Sequence, residues 1–150
     1  MSLLLLSLWL HLLGIVTWIG GLVYQAHVLL PAARRDAAAL AAALQRGRRV
    51  TWIAIALVAA TGLYNVTWLG PLERMLESGA ALLLAVKFML VLVAVAVAGQ
   101  RDFAQVPRLS RAVAAGADPQ PALSAIVWLD RVVLLLAVVI VYLGLAVSRA

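Results

Sequence analysis

The stretch LLLLSLWLHLLGIVTWIGGLVYQAHVLL, residues 3–30, decides the fold class. It holds no Asp, Glu, Lys or Arg. At about 1.5 Å per residue, a helix of this length exceeds a hydrocarbon core of about 30 Å. Lipid offers no hydrogen-bond partner to an open backbone, so such a segment spans as a helix. Its two histidines, His11 and His27, are the only ones in the chain. Three glycines and two tryptophans, Trp9 and Trp18, accompany them.

The rest of the chain has the same character. Of 150 residues, 66% are hydrophobic and 12% charged, and the mean hydropathy is +1.08. Soluble domains run at roughly 45–50% apolar and about 25% charged. This composition implies an integral membrane protein with no separate soluble domain. Cysteine is absent, which excludes disulfides, iron–sulfur clusters and thiolate metal sites. Met1-Ser2-Leu3 leads straight into apolar sequence without a basic region, so the first segment reads as a retained span and not a cleaved signal.

Hydropathy places four spans at about residues 3–30, 50–69, 79–99 and 122–148, forming one domain over 1–150. Pro31 and Arg34-Arg35 end the first, and Gly70-Pro71 the second. Residues 37–46, AAALAAALQR, are strong helix formers and extend the second span as an overhang. The third loop, with Pro107, Gly116, Pro119 and Pro121, reads as a flexible linker. The fold class expected is all-α, an integral membrane four-helix bundle.

Charge sets the expected orientation. Arg34, Arg35, Arg46, Arg48 and Arg49 lie in the first loop, and Arg101, Arg108 and Arg111 in the third. The second loop carries Arg74 alone, against Glu73 and Glu77. Basic residues favour the cytoplasmic side, which puts both termini on the outer side of the cell (inner) membrane. The net charge of +6 therefore reads as topology and anionic-lipid contact, and not as nucleic-acid binding.

Given that orientation, His11 and Lys87 each lie about eight residues below the outer entrance of their spans, or ~12 Å deep. A cation at such depth costs roughly 2.5–3.5 kcal/mol by insertion scales and normally faces the bundle interior. Thr61, Tyr64 and Asn65 belong to the same outer layer on the second span, and Tyr142 on the fourth. Helical spacing from His11 gives one stripe of Gly14, Trp18, Gly21 and Gln25. Glycines there admit a close helix neighbour or a flat macrocycle. His27 falls ~24 Å further along, too far to share a ligand with His11. It lies in the layer of Asp130 and Arg131, which point ~100° apart and carry structural roles.

Three methionines without clustering supply a copper cage poorly, since Cu(I) prefers soft ligands. A zinc site needs three or four ligands. Haem needs one or two axial ligands and suits a four-helix core. The residues thus favour b-type haem on His11 as the metal ligand. Lys87 is the partner of a propionate or a second ligand, with Trp18, Gly14 and Gly21 shaping the pocket and Tyr64 and Asn65 adding contacts around it. No nucleotide loop, nucleophile triad or paired catalytic carboxylates occur.

His11-x6-Trp18-x-Gly20-Gly21-Leu22, Thr61-Gly62-Leu63, and Leu84-x2-Lys87 followed by Gln100-Arg101 resemble the CopD-like membrane domain. The same His, Trp-x-Gly and Lys features are similar to the HemJ-type protoporphyrinogen oxidases. The HemJ resemblance implies haem b on His11, a functional lysine at Lys87, and a haem-dependent oxidoreductase passing electrons to a quinone or the respiratory chain. After Tyr24 the chain departs from that family, with Gln25-Ala26-His27 where a Pro-Arg type segment is expected. The CopD resemblance implies copper transport or copper handling instead. A homodimer is expected, because so small a bundle leaves glycines and lipid-facing surface to spare.

Overall fold

The computed structural model describes residues 2–32, 36–68, 76–77 and 79–147. Met1, Arg34, Arg35, Gly70, Pro71, Glu73, Arg74 and Met75 lie outside the described residues, so the expectations that rest on them are not placed. Four helices are long and apolar enough to cross a membrane: α1 (Leu3–Ala32), α2 (Ala37–Val66), α3 (Ala80–Ala114) and α4 (Gln120–Val147). Among the described residues there is no strand.

Local chemistry sets the helix ends. The Ser2 hydroxyl accepts from Leu5 N–H and opens α1, and Asp36 Oδ1 accepts from Ala39 N–H at 2.8 Å to open α2. These side chains satisfy donors that a first turn leaves free. Residues 37–46 continue into the second span as one helix, as their propensity predicts. Gly79, with φ of 75°, provides the left-handed step before α3. At the other end of α3, Gly116 has φ of 62°. There the N–H of Ala117 bonds the Ala112 carbonyl and that of Gly116 the Val113 carbonyl. That paired arrangement closes a helix around a glycine.

The third loop differs from expectation. Residues 101–114, expected to be largely linker, are helical and continue α3 without a break. A π-helical turn, Arg101–Gln105, precedes Pro107. Proline has no N–H to give, and a π turn already interrupts the regular bond ladder, so the helix absorbs Pro107 there. The linker shrinks to the turn around residues 115–119. A second π turn, Gln25–Leu29, lies near the end of α1.

Helix α1 packs mainly on α2, and α3 mainly on α4. The two hairpins meet through α1 with α4, and through α2 with the extension of α3. Two apolar cores alternate with two polar layers along the bundle. The central core joins Trp18, Leu22, Ala54, Ile55, Ala94, Ala98 and Val133. The core at the loop end joins Leu30, Leu40, Leu44, Val106, Leu109, Leu123 and Ile126 with smaller residues. Many large apolar side chains elsewhere are exposed, Leu12, Leu82, Met89 and Leu135 among them. An outward apolar surface is what a bilayer covers.

Candidate functional site

One polar layer lies beyond the central core and the other between the two cores. The first contains His11. Helix α1 buries Ser7, Gly14, Trp18, Leu22 and Gln25 with His11 half-buried on the same side. Of the stripe expected from helical spacing, Gly14, Trp18 and Gln25 are buried and Gly21 is half-buried. His11 Nδ1 lies 2.9 Å from Thr61 Oγ1 on α2. The Thr61 hydroxyl has one hydrogen, and it goes to the Leu57 carbonyl at 2.6 Å. The hydroxyl therefore accepts from His11, and Nδ1 carries the imidazole proton. The Val58 carbonyl, itself 3.3 Å from that hydroxyl, is the other acceptor near the ring. Nε2 is left with its lone pair and no hydrogen-bond partner among the described residues. Metal-ligating histidines are commonly oriented this way, by a bond from the opposite nitrogen.

Lys87 on α3 belongs to the same layer. Its ammonium is close enough to act electrostatically on His11. Its hydrocarbon stem and Nζ pack on Gly144 of α4, where an added Cβ would come within 3.2 Å of Nζ. Likewise, a Cβ on Gly62 would approach His11 Cε1 to 3.2 Å. Each hairpin thus seats one of these polar side chains against a glycine of its partner helix. Among the described residues Lys87 is in neither of the two ion pairs. A half-buried ammonium without a counter-charge is suited to an anionic group.

The remaining expected residues divide. Gly14 is a helix contact: a Cβ there would lie 2.7 Å from Val58 Cγ2 and 3.3 Å from the Ala54 carbonyl. That close approach of α1 and α2 leaves no space for a macrocycle at Gly14. Trp18 is buried in the central core, about ten ångström along the helix from His11, with its indole N–H unpartnered. Gly21 has nothing within 4 Å of an added Cβ. Asn65 is half-buried with an unpartnered carbonyl oxygen. Tyr64 is exposed and stacks at a tilt on Trp68. Tyr142 is exposed as well.

The second layer centres on Arg101, which the charge count had treated as a loop residue. It is 2% exposed, and Asp130 is 0% exposed. Arg101 Nη1 donates to Asp130 Oδ1 on α4 and to Gln25 Oε1 on α1, the latter at 2.7 Å. Its Nε donates to Asp102 Oδ1 at 2.8 Å, with Nη2 at 2.7 Å from the same oxygen. Trp52 on α2 donates to Asp102 Oδ2 at 2.9 Å. All four helices are therefore joined through the Arg101–Asp102 pair. The π turn places Arg101 and its neighbour Asp102 inward together.

Asp130 takes the structural role expected of it, and Arg131, one residue on, points outward and is exposed. His27 does not join them. It is exposed, and its Nδ1 bonds the Val23 carbonyl of its own helix at 3.0 Å. Gln25, two residues earlier, takes the inward place. Trp52 also stacks at a tilt on Phe103 with ring centroids 5.3 Å apart, and the Arg48 guanidinium lies over the Phe103 ring, 5.3 Å from its centroid. Sequence reasoning had no reason to single out Trp52.

Among the described residues no group of three or more His, Cys, Asp or Glu is placed to hold a metal ion. His11 therefore belongs to no such group among the described residues. The protein family described as Copper resistance protein D matches residues 41–147. The chain belongs to the CopD family. The match covers α2, α3 and α4, and so includes Thr61, Lys87, Arg101 and Asp130. No curated protein and no solved structure matches this CopD-family chain.

Proposed function

We propose that the protein handles copper within the membrane and that His11 Nε2 is the ligand a passing copper ion meets. The family match supports copper as the cargo, and the observation that carries the residue assignment is the contact between His11 Nδ1 and Thr61 Oγ1. With the Thr61 hydroxyl donating to Leu57 and accepting from Nδ1–H, Nε2 keeps its lone pair for a metal ion. One imidazole binds copper weakly compared with a cage of soft ligands. Weak binding suits an ion that must leave again, since conduction requires both entry and release. In this reading both termini lie on the outer side of the cell membrane, placing His11 ~12 Å below that surface. A homodimer would bring a second His11 to the assembly.

Copper titration of the purified, reduced protein tests this, with the expectation that His11→Ala loses at least tenfold in affinity while the helical content is kept. Equal copper affinity in that variant sinks the assignment.

A second reading has its own supporting observation, the half-buried Lys87 beside His11, in no ion pair among the described residues. That pair suits b-type haem, with His11 as axial ligand and Lys87 on a propionate. Haem would supply one-electron redox chemistry and, with it, a quinone or respiratory-chain partner. Lys87→Met separates the two. Copper binding is unchanged or tighter when a neighbouring positive charge is removed, whereas haem retention falls when its anionic arm loses a partner. A visible spectrum of the dithionite-reduced protein reads the second case directly.

A further inference from the structure

The Arg101 layer contains one guanidinium and two carboxylates, those of Asp102 and Asp130. With all three ionised, the cluster has a net charge of −1. Arg101 and Asp102 are 2% exposed and Asp130 is 0% exposed, so water does little to screen that excess. Buried charge without compensation is among the costliest features a protein can hold.

Among the described residues no further cation pairs with the cluster. Arg131 follows Asp130 on α4 but is exposed. His27 on α1 is exposed and bonded to its own helix. Arg48 on α2 is engaged over Phe103. Arg101 and Asp102 are the charged groups that act on Asp130. The hydrogen bonds agree with the charge count. Asp102 uses both oxygens, and Asp130 uses Oδ1 alone; Asp130 Oδ2 is buried with no hydrogen-bond partner.

We propose that this cluster is a proton-binding site, holding one exchangeable proton on Asp130 Oδ2. Uptake converts the carboxylate to a carboxylic acid, breaks no other bond and brings the cluster to neutrality. Arg101 keeps its bond to Oδ1 in both states. A metal cation is the poorer occupant, because hard cations take several oxygen ligands and only one oxygen here is uncommitted. Since Gln25, Trp52, Arg101, Asp102 and Asp130 come from all four helices, gain or loss of the proton changes the charge at the point where the whole bundle is joined. The site stands apart from the copper reading, ~21 Å along the helices from His11.

Infrared spectroscopy of the full chain in lipid vesicles tests the proposal. A carboxylic-acid C=O band is expected at neutral pH, shifting in heavy water. It disappears in Asp130→Asn. It also disappears in Asp102→Asn, because one guanidinium then faces one carboxylate and the proton is no longer needed. A wild-type spectrum without the band overturns the proposal, as does a band that survives Asp130→Asn. Should that variant fail to fold, the Asp102→Asn spectrum decides alone, and survival of the band there overturns the charge balance on which the proposal rests.

Discussion

The two polar layers use similar materials to opposite ends. At the Arg101 layer every guanidinium nitrogen and both Asp102 oxygens are engaged, and the bonds cross all four helices. At the His11 layer each hairpin keeps its functional group to itself: His11 with Thr61 and Gly62, Lys87 with Gly144. One nitrogen of His11 and the Lys87 ammonium are left uncommitted. Saturated groups fix helix positions, whereas uncommitted groups are available to a ligand. The contrast fits the Arg101 layer to joining the helices and, on the proposed copper function, the His11 layer to recognition.

Breaking the joining layer has the largest expected effect. Arg101→Leu leaves two carboxylates buried without a counter-charge and costs about 3–5 kcal/mol, read as a lower unfolding midpoint in detergent. An unchanged midpoint would remove the layer's claim to hold the bundle together. Next comes Thr61→Val at the recognition layer. The hydroxyl that fixes the His11 tautomer is lost, and metal affinity falls roughly 10–100-fold, while the unfolding midpoint moves little. If stability falls and affinity does not, the Thr61 contact belongs to packing alone.

Trp52→Phe keeps the ring against Phe103 but removes the N–H that Asp102 accepts. Leaving that carboxylate oxygen unpaired costs about 1–3 kcal/mol, with no change in metal binding expected. The smallest effect is expected of Gly144→Ala. Its Cβ would press on the flexible end of Lys87 at 3.2 Å, which can swing aside, so stability changes by less than about 1 kcal/mol. A large loss there would mean that Lys87 is held as firmly as Arg101, and the contrast between the layers would weaken.

The spans and the His11 stripe were legible because hydropathy and helical periodicity act along one chain. Gly14, Trp18 and Gln25 fall on the buried side of α1 for that reason, as does the helical overhang at 37–46. Arg101 was not legible as a core residue. Counting loop charges treats every arginine beyond a span as solvated, and nothing in the local pattern announces that α3 runs on through a π turn to Ala114. A signal was present in Asp130, a lone acid inside an apolar run, which requires a buried cation from another helix. Gly62 and Gly144 were legible as residues but not as seats for His11 and Lys87. That role depends on which helices are neighbours, and hydropathy does not order helices around a bundle.

Copper uptake into sealed vesicles containing the purified protein, compared between the wild type and His11→Ala, tests the central claim most directly. The account predicts copper entry in the wild type and its loss in the variant, with the helical spectrum of both unchanged. Equal uptake by a folded His11→Ala protein would contradict it and remove His11 from the path of the ion.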